Sequence, residues 1–232
     1  MKTITTTTTF TTKTTSTTMK TMTTFLAFAM MLFAFPVFAA DYETSMKANI
    51  QKLTEAKTLA DFTTVANQFE RIANAEPAKW QPRYYVAYCF VSAVTMNKME
   101  ADEIHQQLDI AQKHLDLLEK SFKNESEILV LQAFVYQMRI TDMAKGMKYS
   151  MLAGEKLDEA ETLNASNPRI YYLRGMNTFH TPKAFGGGKE KAKPLFEKAK
   201  ALFASHQPAS NLDPNWGEWH NNQMLAECNK AE

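Results

Sequence analysis

The run Asn167-Pro168-Arg169-Ile170-Tyr171-Tyr172-Leu173-Arg174-Gly175, followed by Ala192-x3-Phe196-x2-Ala199, decides the fold of this chain. An Asn-Pro pair is typical of a helix start, because the fixed φ of proline suits the first helical position. In the second segment, spacings of four and three residues place two alanines and a phenylalanine on one helix face. The small residue Gly175 lets a partner helix approach closely. The two segments therefore predict a pair of packed helices.

The same arrangement recurs with a period of about 45 residues, which is typical of a stacked helical array. Four positions open the successive helix pairs: Glu76-Pro77, Lys123-Asn124, Asn167-Pro168 and Asp213-Pro214. A small residue lies near the middle of three first helices, at Ala87, Ala133 and Gly175. Second helices carry matching apolar residues: Val65/Phe69/Ile72, Ala153/Leu157/Ala160 and Ala192/Phe196/Ala199.

Helical periodicity is nearly continuous beyond the N-terminal region and strand signals are scarce, so the predicted fold is all-α. Short connections predict antiparallel neighbours. We expect an α/α superhelical solenoid of about four antiparallel helix pairs with a C-terminal capping helix. The predicted helices cover residues 43–56, 60–75, 81–97, 100–121, 125–140, 143–163, 168–180, 189–204 and 215–230.

The spacing Ala192-x3-Phe196-x2-Ala199 resembles the second helix of a tetratricopeptide repeat (TPR). Together with residues 167–175 and the stretch Pro182-x2-Phe185-Gly186-Gly187-Gly188-Lys189, it is similar to exported TPR-like proteins of Gram-negative bacteria, over residues 45–230. The period exceeds the usual repeat of about 34 residues, and the Trp-x2-Leu-Gly-x2-Tyr pattern appears only in fragments. The resemblance implies a non-catalytic binding scaffold and implies no particular ligand.

The N-terminal residues 1–39 have the composition of an export signal behind a Thr-rich leader. The leader contains lysines and no acidic residue, and the apolar block at residues 25–38 is shorter than the roughly 20 residues that span a bilayer. Translation could start at Met19, which would leave a compact signal peptide.

Signal peptidase is expected to cut after Ala39, and a cut after Ala40 is the nearby alternative. No cysteine lies at this junction, which excludes a lipid anchor. Residues 40–232 are therefore predicted to form one TPR-like domain that is exported to the periplasm without a stable membrane anchor.

The charge of the predicted mature domain excludes nucleic acid as a partner. The full chain has 26 basic and 25 acidic residues, and removing the three lysines of the leader leaves 23 basic residues, a net charge of about −2. The only cysteines, Cys89 and Cys228, lie far apart in a solenoid. We expect two separate thiols, with a disulfide between them as the alternative.

The remaining motifs predict no catalytic residue, no metal site and no cofactor. In the Gly-rich loop, Lys183 replaces the first glycine of a phosphate loop and Glu190 replaces its Ser or Thr, so we interpret the loop as a turn between helices. The five histidines have no metal-ligand spacing, and the carboxylate clusters lie on charged helix faces. The chain is therefore not expected to be an enzyme.

The aromatic residues of the first helices and the capping helix are the candidate recognition surface. Core packing is the alternative for these rings. Because successive residues diverge by about 100° around a helix, we expect one member of each pair, Tyr84/Tyr85 and Tyr171/Tyr172, to face the groove. The predicted partner-binding residues are Tyr136, Tyr172, Arg174, Asn177, Trp216 and Trp219.

Arg174 has two possible environments, because an unpaired buried guanidinium is too costly. It must pair with a carboxylate inside the stack or project into the groove. For function, we expect a protein or peptide in the concave groove. The alternatives are a small-molecule subunit associated with periplasmic uptake, favoured by an internal pocket, and an enzyme on a helical scaffold.

Overall fold

The computed structural model describes residues 3, 6, 7, 9 and 35–230, and for residues 35–40 it describes the backbone only. The predicted export signal at residues 1–39 therefore lies almost entirely outside the described residues. The chain divides into two compact units, Met1–Glu43 and Thr44–Glu232. The first unit contains the start of helix α1, and the second contains the rest of the described helices.

Within residues 35–230 the structure consists of nine α-helices and one 3₁₀ turn, without a strand. The helices are α1 Phe35–Glu55, α2 Leu59–Ala75, α3 Gln81–Met96, α4 Ala101–Ser121, α5 Ser126–Met138, α6 Met143–Leu163, α7 Pro168–His180, α8 Lys189–Ser205 and α9 Glu218–Cys228. This confirms the all-α prediction. Helix α9 starts three residues later than predicted because Gly217, with φ 104°, caps its N-terminus.

The helices associate as the repeat predicts. The pairs α3–α4, α5–α6 and α7–α8 pack together, α2 packs on α3, and α9 packs on α8. Among the first helices, α5 contacts both α3 and α7, so the three form a shared face of the array. We call this surface the first-helix face. The arrangement is an α/α solenoid of antiparallel helix pairs with a C-terminal capping helix.

Local sequence explains where the helices begin. At α2, the Thr58 hydroxyl accepts a hydrogen bond from the Asp61 amide (3.2 Å), and the Asp61 carboxylate accepts one from the Thr58 amide (2.9 Å). At α7, the Asn167 side chain accepts from the Arg169 amide (3.0 Å), with Pro168 at the first helical position. These caps satisfy amide groups that have no partner inside the helix.

The last two pairs enclose a continuous apolar core. Phe196 is fully buried and lies against Gly175, so the predicted pairing of a small residue in the first helix with a large one in the second is confirmed. The buried core residues here are Leu129, Val130, Ala133, Ala153, Leu157, Ala160, Ile170, Tyr171, Tyr172, Leu173, Ala192, Phe196 and Ala199.

The Gly-rich loop is a connecting turn, as predicted. A 3₁₀ turn at Lys183–Phe185 leads into Gly186, which has φ 85°. The amide of Gly187 donates to the Pro182 carbonyl (3.2 Å) and that of Gly188 to the Thr178 carbonyl (2.9 Å). These amides are used inside the protein, so they do not form an anion-binding nest.

The two cysteines are separate thiols in the structure, as expected. Cys89 is buried and Cys228 is partly buried. Burial raises the pKa of the Cys89 thiol far above its ordinary value, so this group stays protonated.

No helix in the described part of the chain combines the length and hydrophobicity needed to cross a membrane.

Candidate functional site

Residues 206–217, which connect α8 to α9, cross the first-helix face as a strap. The Gln81 side chain of α3 donates to the Asp213 carboxylate (3.1 Å), and the Arg169 guanidinium of α7 donates to the Pro214 carbonyl. Trp216 Nε1 donates to the Tyr84 hydroxyl (2.8 Å). The strap therefore joins the C-terminal end of the array to its first helix pairs.

Trp216 joins all three first helices through ring contacts. Its ring stacks on Tyr88 of α3 and Phe134 of α5, with centroid distances of 5.4 and 5.3 Å. The Tyr172 ring of α7 meets it nearly edge-on at 6.3 Å. Such contacts are favourable beyond simple burial. We call Tyr84, Tyr88, Phe134, Tyr172 and Trp216 the aromatic cluster.

A buried ion pair between Arg169 and Glu127 lies next to the aromatic cluster. The Arg169 side chain is only 1% exposed, lies 2.9 Å from the Glu127 carboxylate, and places its guanidinium 5.5 Å from the Trp216 ring centroid. Burial raises the pKa of Glu127, and the Arg169 charge opposes this shift. Removing one partner of such a buried pair is strongly destabilising, because it leaves an uncompensated buried charge.

His220 lies beside the cluster and is partly buried. Its Nδ1 is 2.6 Å from the Tyr172 hydroxyl, and the two rings are nearly perpendicular at 5.8 Å. Burial lowers the pKa of His220, and the charge of His180 acts in the same direction. The imidazole is therefore neutral at neutral pH.

Trp219 is the solvent-facing aromatic residue of this region. Its side chain is 74% exposed, and its ring lies 6.3 Å from the His220 ring at an interplanar angle of 24°. The exposed indole leaves most of its apolar surface open to solvent beside the partly buried imidazole. Trp219 and His220 thus form an accessible edge next to the buried cluster.

The structure divides the six predicted partner-binding residues into two groups. Tyr172, Trp216 and Trp219 lie together around His220. The other three, Tyr136, Arg174 and Asn177, contact α6 instead.

In that second group, the Tyr136 ring stacks on Tyr149 at 6.2 Å, and the Asn177 amide donates to the Ser150 carbonyl (3.2 Å). Arg174 pairs with Glu161 and Asp158, each at 2.6 Å. Of the two environments expected for Arg174, the structure shows carboxylate pairing.

The expectation that one member of each tyrosine pair faces the groove is wrong. Tyr84 and Tyr85 are 0% and 3% exposed, and Tyr171 and Tyr172 are 3% and 4% exposed. The reason is that each first helix is covered on several sides, since α3 contacts α2, α4 and α5. A rotation of 100° around such a helix moves a side chain from one packed interface to another.

Sequence reasoning missed His220, the Arg169–Glu127 pair and the strap. The strap has no helical periodicity, and its contacts join residues 132 positions apart. One signal was available: the five residues 216–220 contain two of the three tryptophans of the chain and a histidine.

One other surface feature lies away from this site. A depression of about 190 Å³ lies between α4, α5 and α6, lined by both charged and apolar side chains that include Glu119, Lys156 and Leu129. It is smaller than the roughly 300–1,000 Å³ of typical ligand pockets. Among the described residues, no three His, Cys, Asp or Glu side chains come together as a metal site.

The comparisons with known proteins agree with this architecture. No family model matches the sequence, and neither does any curated protein. The solved structure of the HusA haemophore from Porphyromonas gingivalis is similar with a TM-score of 0.72 at 29% sequence identity, covering 81% of this chain and 92% of that one. A thermophilic TPR protein from Thermus thermophilus has a TM-score of 0.56 at 17% identity, with 81% and 80% covered. The chain therefore has a TPR-like helical fold, the fold of a binding scaffold.

Proposed function

We propose that this protein is a non-catalytic helical scaffold that binds haem or a closely related planar macrocycle at the edge formed by Trp219 and His220. The observation that carries the proposal is the exposed Trp219 ring beside the partly buried His220, next to a dense aromatic cluster. The similarity to a haemophore supports the choice of ligand class. This similarity, and not an internal pocket, is the reason for preferring a small molecule to a peptide as the ligand.

The physical reason is the match between the surface and the ligand. A haem presents two flat apolar faces and a polar edge, and aromatic side chains bury large apolar areas with favourable ring contacts. Trp219 is 74% exposed, so a ligand that covers it removes a large apolar surface from water. The hydrogen bond from the strap to Tyr84 and the buried Arg169–Glu127 pair hold the neighbouring rings in place before a ligand arrives.

Binding of a protein partner is the second candidate function, and one observation favours it. Met143, Met147 and Met151 are 88%, 76% and 61% exposed and recur every four residues on α6, so they form one apolar stripe. Flexible methionine side chains are common at surfaces that bind partner proteins. This stripe lies on a second helix, away from Trp219.

Absorbance titration with haem tests the main proposal. Trp219→Ala should weaken haem binding about tenfold, which corresponds to a loss of about 1.4 kcal/mol. Met147→Ala provides a matched control, because it removes a similarly exposed apolar side chain from α6. Failure of the parent protein to bind haem, or equal losses in both variants, would rule out this site.

We also propose that the protein is exported to the periplasm and that the mature chain begins at Ala40 or Asp41. The short apolar block and the Val37-Phe38-Ala39 junction support this proposal. N-terminal sequencing of protein from an osmotic-shock fraction tests it. Recovery of a cytoplasmic protein that keeps Met1 or Met19 would contradict it.

A further inference from the structure

The apolar stripe on α6 is also a row of three sulfur atoms. Met143, Met147 and Met151 follow the spacing Met-x3-Met-x3-Met, and even the least exposed of them, Met151, is 61% exposed. They lie on a different face from Ala153 and Leu157, which are fully buried against the rest of the array. We call these three residues the methionine stripe. Packing of the helix array does not use their side chains.

Helix geometry brings neighbouring sulfurs of the stripe within reach of one ion. Residues four apart have Cβ atoms about 5–6 Å apart, and the flexible methionine side chain carries its sulfur two bonds beyond Cβ. Met143 and Met151 are about 12 Å apart along the axis, at a rise of 1.5 Å per residue. Met147 is therefore the member that belongs to both neighbouring pairs.

The space around the stripe is open. Gly154 follows Met151 by three residues and so lies on the same side of α6. Nothing comes within 4 Å of a Cβ atom built on Gly154, and the same holds for Gly146, three residues after Met143. An ion can therefore reach the sulfurs without displacing another part of the protein.

The donor atoms of the stripe favour a soft cation. The nearest carboxylate in sequence, Asp142, is already engaged: it accepts hydrogen bonds from the Lys145 amide (3.0 Å) and lies 2.8 Å from the Lys145 ammonium. Thioethers are neutral and polarizable and bind copper(I), whereas magnesium, calcium and manganese prefer oxygen ligands. Zinc is bound by thiolate, imidazole and carboxylate groups.

We propose that the methionine stripe is a binding site for copper(I), with Met147 as the central ligand and Met143 and Met151 as its partners. This inference is separate from haem binding, because it uses no residue of the edge formed by Trp219 and His220. It also differs from docking of a partner protein on the same stripe. A docking surface needs the apolar volume of these side chains, whereas a copper site needs their sulfur atoms.

Replacement of methionine by leucine separates these two uses of the stripe. Leucine has a similar volume and a similar helix propensity, but it has no sulfur. Met147→Leu should weaken binding of the ion at least tenfold, a loss of about 1.4 kcal/mol or more. Met143→Leu and Met151→Leu should each weaken it less, because one neighbouring pair remains in each variant.

Silver(I) is the first probe, because it is a soft monovalent ion like copper(I) and air does not oxidise it. Nuclear magnetic resonance of protein with ¹³C-labelled methionine methyl groups follows the titration. The three methyl signals of the stripe should shift together and saturate at one equivalent. Copper(I) affinity is then measured without oxygen, in competition with a chromogenic chelator.

Three controls address the other soft donors and the choice of ion. Met96 is also 61% exposed and is the single methionine of α3, so Met96→Leu should leave the affinity unchanged. Cys228 carries a partly buried thiol, and Cys228→Ser should keep the methyl shifts of the stripe. Zinc(II) should leave these methyl signals unmoved.

Equal silver(I) affinity in the parent protein and in Met147→Leu would overturn the copper site. Loss of the methyl shifts in Cys228→Ser, or the same shifts with zinc(II), would overturn it as well. Haem affinity should be unchanged in Met147→Leu. Failure of the copper site therefore leaves the proposed function intact, and failure of the parent to bind haem leaves the copper site intact.

Discussion

The aromatic ring of Phe196 occupies the space that a side chain at Gly175 would need. Cε1 of Phe196 lies 2.5 Å from the position of a Cβ atom built on Gly175, and Cδ1 lies 2.6 Å from it. Because the Phe196 ring is fully buried, it cannot move aside without disturbing the core. Helices α7 and α8 therefore approach as closely as a glycine allows.

Gly175→Ala should destabilise the protein by about 1–3 kcal/mol, because the added methyl group overpacks this contact. The sign of this change in stability is informative, because replacing a glycine inside a helix by alanine normally stabilises a protein. Gly154→Ala on α6, where no atom lies within 4 Å of the new Cβ, should stabilise by about 0.5–1 kcal/mol. Chemical denaturation of both variants checks the pair, and two shifts of the same sign would contradict it.

Phe196→Ala should cost roughly 3–5 kcal/mol, because it removes a fully buried ring and leaves a cavity between α7 and α8. Lys200→Ala, on the exposed side of the same helix, should change stability by less than about 0.5 kcal/mol. Lys198 is a poorer control, because its ammonium lies 3.7 Å from the Tyr171 ring centroid. Comparable melting temperatures for the Phe196 and Lys200 variants would mean that the α8 packing face is misassigned.

Arg174→Ala should reduce stability modestly, by up to about 1 kcal/mol, and leave haem affinity unchanged. The guanidinium is 23% exposed and its partner Asp158 is 75% exposed, so solvent screens much of the attraction. Arg71→Ala on α2 makes the same chemical change at an exposed position and serves as the control. If the Arg174 variant is as stable as the parent but binds haem more weakly, Arg174 belongs to the binding site and this prediction is wrong.

The carboxylate of Glu161 should make part of the stability pH-dependent. A hydrogen bond from the Tyr171 hydroxyl, and then one from Arg174, lower the pKa of Glu161 below its ordinary value of 4.5. The folded state therefore holds this group ionised to lower pH than the unfolded state does. Its contribution is present above about pH 4.5 and is lost as the pH falls through the folded-state pKa.

Thermal melts of the parent and of Glu161→Gln should therefore differ at neutral pH and converge in acid. Glu159→Gln is a suitable control, because Glu159 is 55% exposed and pairs only with a lysine on the same helix. A difference between the parent and the Glu161 variant that stays constant from neutral pH to about pH 3 would disprove the assignment.

The sequence predicts the helices well and the site only in part, for physical reasons. The contact between Gly175 and Phe196 could be predicted from the sequence, because helical spacing and a small residue in the facing helix are local signals. The burial of both Tyr84 and Tyr85 was not, since it depends on how many neighbours surround α3. The pairing of Tyr172 with His220 joins residues 48 positions apart, and no periodicity reports such a contact.

The strap at residues 206–217 changes how the array should respond to the loss of its C-terminal end. In an open solenoid each repeat depends only on its neighbours, so removing the last helix shortens the array and leaves the distant repeats intact. Here Asp213 and Trp216 bond to Gln81 and Tyr84 at the other end of the array. The chain forms a closed circuit of contacts, so unfolding should be a single concerted event. Loss of residues 206–232 should weaken α3 directly, and folding should be slow for a helical protein because these contacts join residues 132 positions apart.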